Sequence, residues 1–122
     1  MTTAPAPSTR LLNGGQLVLT QGVSTYVEQG TMPYCDDVEA GTPPRKWRLH
    51  FLAVAVTSHL SGCWGQTDKD DCKLNDYVFN HPGEGGRLLS VWQQDNFPKL
   101  WVITDAFGSD HAVTTALFPE EY

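Results

Sequence analysis

The chain has 122 residues, of which 40% are hydrophobic, and a formal net charge of −6. This length is sufficient for one domain with its own core, and the composition excludes a disordered chain. The longest apolar stretch is much shorter than the ~20 residues that a membrane helix needs, and no apolar segment of the secretory-signal type stands at the N-terminus. We therefore expect a soluble, cytoplasmic protein.

The negative charge is confined to the second half of the chain. Residues 1–65 contain four acidic and four basic residues, whereas residues 66–122 contain ten acidic and four basic residues. This balance disfavours direct contact with nucleic acid, because phosphate binding requires a basic face. It suits either a basic partner protein or plain solubility.

Composition predicts how the chain is divided. Residues 1–12 begin with a segment rich in Pro, Thr and Ser, which predicts a disordered N-terminal lead. Residues 13–122 are expected to form a single domain. Within it, residues 31–46 combine prolines, one glycine and clustered acidic residues without any periodic pattern, and they predict an inserted loop.

One strand and three helices are predicted before the last third of the chain. Residues 15–20 have the composition of a short strand, and apolar residues at helical spacing predict a helix over 21–30 that ends at Gly30. The segment 46–60 is apolar around most of its circumference, so we expect a central, largely buried helix; the β-branched residues within 53–57 leave a strand as the alternative. The segment 67–79 predicts a third helix, capped by Thr67 or Asp68. Its predicted apolar face comprises Leu74, Tyr77 and Val78.

The last third contains three apolar runs separated by the polar turns 95–98 and 108–111. This pattern is typical of an antiparallel three-stranded meander. We therefore predict an α+β domain of order β-α-α-α-β-β-β, with the meander packed on the helix at 47–60. Trp64, Trp92 and Trp101 are predicted to be core residues. Alternatively, Trp92 and Trp101 pair across adjacent strands, or one of them faces a partner.

Several segments resemble a small bacterial family of plasmids and integrative elements, whose members are described only as plasmid-related proteins. The matching segments are His59-Leu-Ser-Gly-Cys-Trp-Gly65, Asp71-x3-Asn75, Gly86-Arg-Leu-Leu-Ser90, Leu100-Trp-Val-Ile-Thr-Asp105 and Thr114-Thr-Ala-Leu-Phe-Pro-Glu-Glu-Tyr122. Residues 15–30 match more weakly, and Cys63 and Asp105 replace the Asp and Glu of the family. The resemblance implies a mobile genetic element as the habitat. Small accessory proteins of such elements often protect them from host defence.

The possible metal ligands are His59, Cys63, Cys72 and His81. Zinc sites use much tighter Cys and His pairs than the eight-residue gaps found here. We therefore expect neither a metal nor another cofactor. The odd number of cysteines, which includes Cys35, predicts free thiols.

Polar residues in the best-matched segments are the candidates for catalysis. They are His59, Asp71, Asn75, Arg87, Asp105 and Glu120. A cleft formed by the first four would supply the acid, base and anion-binding groups of a hydrolase or transferase. None of them lies in a nucleophile elbow, a phosphate loop or a zinc-protease frame. The sequence therefore favours a protein without catalytic activity.

The expected function is that of a binding protein from a phage or mobile element. It would inhibit a host defence complex, as anti-CRISPR or anti-restriction proteins do, by placing an acidic surface on a basic host protein. A small enzyme and a plasmid-maintenance accessory protein are the alternatives. The predicted contact residues are Asp36, Asp37, Asp68, Asp70, Asp71, Asp76, Glu120, Glu121 and Tyr122.

Overall fold

A computed structural model of the protein describes residues 10–11, 13–31 and 42–122. Its elements are β1 (Arg10–Leu11), β2 (Gly15–Leu19), α1 (Gln21–Gln29), α2 (Arg45–His59), α3 (Lys69–Phe79), β3 (Leu88–Trp92), β4 (Leu100–Asp105), β5 (Val113–Leu117) and a 3-10 helix (Pro119–Glu121). The α+β class and the predicted element order are confirmed, with β1 as a short additional strand. Most of the predicted lead and of the predicted loop lies outside the described residues. The predicted loop and the predicted helix overlapped at Lys46; α2 includes Lys46 and begins one residue earlier, at Arg45.

The strands form one sheet of order β1-β2-β5-β4-β3. β3 pairs antiparallel with β4, and β4 pairs antiparallel with β5, so these three strands follow one another as a meander. The sheet as a whole is mixed, because β2 runs parallel to β5. The sequence pattern predicted the meander but not the parallel neighbour.

The core lies between the sheet and the helices. Apolar side chains of α1 and α2 pack with Leu100, Val102, Ala116 and Phe118. A second cluster joins Trp64, Leu88 and Phe107 to the inner side of α3. The meander therefore packs on α2 as predicted.

Helix α2 is not the central helix that its composition predicts. It buries Arg48, Leu52, Ala55, Val56 and His59. Trp47, Leu49 and Val54 are exposed. The helix packs against the sheet and α1 and not between two layers, so only part of its circumference can be buried.

Helix α3 begins after Asp68, one of its two predicted caps, whose side chain accepts a hydrogen bond from the Asp70 N–H at 3.2 Å. Its predicted apolar face was wrong for Leu74 and Tyr77, which are exposed, while Val78 is half-buried. The buried residue of this helix is Asn75. The inner side of α3 faces polar backbone groups at the edge of β3, so an amide side chain satisfies this position better than an apolar one.

Candidate functional site

His59 is fully buried at the end of α2 and belongs to a chain of hydrogen bonds across the sheet. Its Nδ1 lies 2.6 Å from Ser90 Oγ, and its Nε2 lies 2.9 Å from Thr104 Oγ1. Thr104 Oγ1 in turn lies 2.7 Å from Thr114 Oγ1, which donates to the Gly14 carbonyl. The side chain therefore joins α2 to β3, β4 and β5.

Counting donors along this chain fixes the tautomer of His59. Because the Thr114 hydroxyl donates to Gly14, it accepts from Thr104, and the Thr104 hydroxyl then accepts from His59. His59 consequently carries its proton on Nε2. Its Nδ1 accepts from Ser90, whose hydroxyl oxygen accepts from the Trp92 indole N–H at 2.6 Å. Every polar atom of the imidazole is satisfied in the neutral form.

Burial lowers the pKa of His59 from 6.5 to about 4. The cause is the loss of water around the charged form, since no carboxylate hydrogen-bonds to the ring. A residue with no solvent access and a satisfied ring cannot exchange protons with a substrate in this conformation. In the described structure, His59 has a structural role: it connects α2 to the sheet through its hydrogen bonds to Ser90 and Thr104.

Asn75 also has a structural role. Its Oδ1 accepts from the Leu89 N–H at 3.0 Å, and its Nδ2 donates to the Leu89 carbonyl at 2.6 Å. Thr67 accepts from the Val91 N–H, and the Gln66 N–H donates to the Val91 carbonyl, both at 2.8 Å. These contacts cover the edge of β3, which would otherwise present unpaired backbone groups.

The approach of residues 65–67 to this edge depends on Gly65. Its φ is +60°, and a Cβ atom at this position would lie 2.5 Å from the Val91 carbonyl oxygen. Another residue would be strained in this conformation and would also collide with the strand. The Gly of the Trp64-Gly65 pair is therefore required for the cover of the β3 edge.

Three of the predicted site residues do meet, on the other face of the sheet. Arg87 Nε lies 3.2 Å from Asp105 Oδ1, and its Nη1 donates to the Tyr122 hydroxyl at 3.0 Å. Tyr122 also packs edge-on against Trp101, at 5.6 Å between ring centroids. All these groups are at least partly exposed, so the cluster is a surface feature and forms no cleft.

The register of the meander separates Trp92 from Trp101. Trp101 lies opposite Val91, and Trp92 lies opposite Leu100, so the two indoles point to opposite faces of the sheet. The predicted pairing across adjacent strands is therefore wrong. Trp64 is a core residue as predicted, whereas Trp92 and Trp101 are only half-buried.

The C-terminal acidic residues differ in their surroundings. Glu120 is exposed. Glu121 accepts from the Thr20 hydroxyl at 2.6 Å, the Gly22 N–H at 3.0 Å and the Phe118 N–H at 3.0 Å. Its carboxylate therefore caps the N-terminus of α1, where the helix dipole favours a negative charge. A Cβ atom at Gly22 would lie 2.7 Å from this carboxylate, so a larger residue there would displace the Glu121 side chain.

The buried Arg48, which the sequence analysis did not single out, caps the C-terminal end of α1. Arg48 donates to the Tyr26 carbonyl at 2.9 Å, to the Val27 carbonyl at 3.0 Å and to the Pro43 carbonyl at 2.6 Å. A cation is favourable beside the last carbonyls of a helix. The available signal was an arginine in the first turn of the predicted helix, between the apolar residues Trp47 and Leu49.

The remaining acidic candidates lie on or before α3. Asp68 and Asp70 are exposed, Asp71 is half-exposed, and Asp76 accepts from the Trp64 indole N–H at 2.8 Å. Asp36, Asp37 and Cys35 lie outside the described residues. The four possible metal ligands do not meet. No cluster of three His, Cys, Asp or Glu residues suitable for a metal exists within residues 13–31 and 42–122.

A groove lies between α2 and the β3–β4 connection. Its volume is about 780 Å³. Its aromatic lining residues are Trp47, His50, Phe51, Trp92 and Phe97. Its polar lining residues are Gln66, Gln93, Gln94, Asp95 and Asn96. None of the predicted site residues that the structure describes lines it.

The chain matches no protein-family model, and neither a curated protein nor a solved structure is significantly similar to it. Among the described helices, none combines the length and apolar character needed to cross a membrane.

Proposed function

We propose that this protein is a non-enzymatic binding protein of a phage or mobile genetic element. It inhibits a host defence complex by docking the outer face of α3 on a basic protein surface. The observation that carries the proposal is the exposure of Leu74 and Tyr77, whose relative accessibilities are 65% and 59%, beside the carboxylates of α3.

The arrangement on α3 resembles that of a protein interface. Asp70, Leu74 and Tyr77 follow one another at i, i+4 and i+7, so they form one stripe along the helix. Tyrosine is enriched at the centre of interfaces, while charged groups form their rim. Tyr77 is also held in place, because its ring stacks on His81 at 4.1 Å.

The electrostatics of α3 support a basic partner. The segment 68–79 contains four aspartates and two lysines, so its net charge is −2. Lys69 and Lys73 lie near the stripe and limit the attraction. Glu84, whose carboxylate lies 3.5 Å from the Tyr77 hydroxyl, adds a further negative charge beside it.

The enzyme alternative loses support from the positions of its residues. His59 is buried in the core, Asn75 is bound to the β3 backbone, and Arg87 lies with Asp105 on the surface. Acid–base chemistry requires these groups to share one accessible cleft with a substrate.

A defence-inhibition assay in cells tests the proposal. Bacteria with an active CRISPR or restriction system are transformed with a targeted plasmid, with and without this protein. We expect the protein to raise transformation efficiency, and Asp70→Lys combined with Tyr77→Ala to abolish the gain. Asp68 is left unchanged in this variant because it caps α3.

Matched controls change similar residues elsewhere. Asp110→Lys removes an exposed acidic residue outside α3, and Leu49→Ala removes an exposed apolar residue from α2. Both are expected to retain the gain. With a purified target complex, association should slow as salt rises, because screening acts over ~8–10 Å. Full inhibition by the α3 variant would refute docking through this face.

A further inference from the structure

The groove between α2 and residues 93–97 has walls that are rich in aromatic rings. Phe51 and Phe97 stack on each other, with their centroids 4.5 Å apart. The Trp92 indole N–H already donates to Ser90 Oγ, so a ligand in the groove can contact the Trp92 ring but cannot accept a hydrogen bond from it. Trp47, at 49% relative accessibility, stands at the mouth. The groove therefore offers aromatic surface to a ligand.

Polar side chains on the β3–β4 connection supply the other wall. Those of Gln93, Gln94, Asp95 and Asn96 line the groove and have no partner among the described residues. Three of them are carboxamides, which donate and accept hydrogen bonds at the same time. A ligand rich in hydroxyl groups matches such groups, because a hydroxyl also donates and accepts.

The charge of the lining excludes several ligand classes. Among the described lining residues, Asp95 is the only carboxylate, and none is a Lys or an Arg. At the mouth, Lys46 Nζ lies 5.4 Å from the centroid of the Trp47 ring, but phosphorylated ligands and nucleic acids would meet no Lys or Arg among the described residues of the lining itself. A purely apolar ligand would remove water from the carboxamides without replacing their hydrogen bonds.

An extended peptide is disfavoured by the backbone around the groove. The N–H and the carbonyl of Val91 are bonded to Thr67 and Gln66, and the Gln93 N–H is bonded to Gln66 Oε1 at 2.8 Å. Strand addition needs a row of unpaired backbone groups at the sheet edge. The edge beside the groove is closed, so recognition must come from side chains.

We propose that this groove binds a neutral saccharide. The aromatic rings pack against the C–H face of a sugar, whose hydrogens carry partial positive charge toward the negative ring face. The side chains of residues 93–96 bind the hydroxyl groups around its rim. This proposal goes beyond the docking function of α3 and concerns a separate surface.

Binding of maltotriose, cellotriose and triacetylchitotriose to the intact chain tests the proposal, each titrated up to about 10 mM. Calorimetry is expected to give a Kd of about 1 mM or below for at least one of them. The indole N–H resonances of the four tryptophans locate the site. Those of Trp47 and Trp92 should shift, while those of Trp64 and Trp101 should not.

Two variants and one control identify the groove. Trp47→Ala should weaken binding by roughly tenfold, and Gln94→Ala by roughly threefold to tenfold. Leu49→Ala is the matched control, because Leu49 is similarly exposed on α2, at 44%, but does not line the groove. It should bind like the wild-type protein.

Three results would overturn the proposal. One is the absence of binding for all three saccharides. The second is binding that Trp47→Ala leaves unchanged, which would place the saccharide elsewhere. The third is tighter binding of adenosine or of a proline-rich decapeptide than of any saccharide at the same indole resonances, which would assign the groove to a nucleobase or a peptide.

Discussion

Replacing His59 should change how the stability of this protein depends on pH. The unfolded chain has a histidine with a pKa of 6.5, whereas burial lowers the pKa of His59 to about 4 in the folded state. Between pH 6.5 and about 4, this histidine therefore binds a proton in the unfolded state but not in the folded state. The titration of His59 therefore leaves the free energy of unfolding unchanged above pH 6.5 and lowers it as the pH falls from 6.5 toward 4.

The size of the effect follows from the same two values. One pKa unit corresponds to 1.36 kcal/mol, so the interval from 6.5 to about 4 represents about 3 kcal/mol of stability. For a domain of this length, that amounts to a fall of roughly 10 °C in Tm. A loss of this size is large against a total stability of about 5–15 kcal/mol.

Urea unfolding at a series of pH values from 7 to 4 measures the effect. His59→Gln keeps a donor but cannot titrate, so we expect lower stability at pH 7 and a flatter pH dependence than in the wild-type protein. His111→Gln, at an exposed position, is the control and should retain the wild-type slope. Carboxylates titrate in all three proteins, so the difference between them isolates His59.

Two outcomes would refute this reasoning. One is a wild-type slope in His59→Gln. The other is an NMR titration of the wild-type protein in which the His59 ring protonates near pH 6.5. The second measurement needs no variant and also tests the tautomer, because the protonated and unprotonated ring nitrogens of a neutral histidine differ in ¹⁵N shift and the ring couplings show which of them is Nε2.

Two further predictions concern side chains that bind backbone groups. Asn75→Ala should lower the free energy of unfolding by about 2–4 kcal/mol, because it leaves the Leu89 N–H and carbonyl without partners. Denaturant unfolding measures this loss. The control is Asn80→Ala, which removes one exposed hydrogen bond and should lower the free energy of unfolding clearly less. Glu121→Gln should lower the free energy of unfolding by about 1–2 kcal/mol at low salt and by less at high salt, since it removes the charge that caps α1. The control is Glu120→Gln, at an exposed position. Equal losses of stability in the two variants would argue against the capping role.

The predicted site residues illustrate what sequence could tell about function. The resemblance directed attention to His59, Asn75 and Arg87, and the structure gives each of them defined partners. Their separation could not be foreseen, because spacing along the chain does not show which face of a sheet or helix a side chain occupies. The groove was missed for the same reason, since its walls come from α2 and from the β3–β4 connection.

Local signals in the sequence determined the elements of this protein. Helical spacing before Gly30 gave α1, the cap at Asp68 gave the start of α3, and turn residues divided the meander into its strands. Such signals act over a few residues, so they can be read without knowledge of the rest of the chain.

Only the tertiary structure decided how these elements face one another. The parallel pairing of β2 with β5, the exposed side of α2 and the opposite faces of Trp92 and Trp101 depend on contacts between distant segments. The spacing of His59 in the sequence is also compatible with a capping or packing role, but only the fold shows that Ser90 and Thr104 are its partners. A side chain is buried or exposed according to the layer that covers it, and the assembled fold supplies that layer.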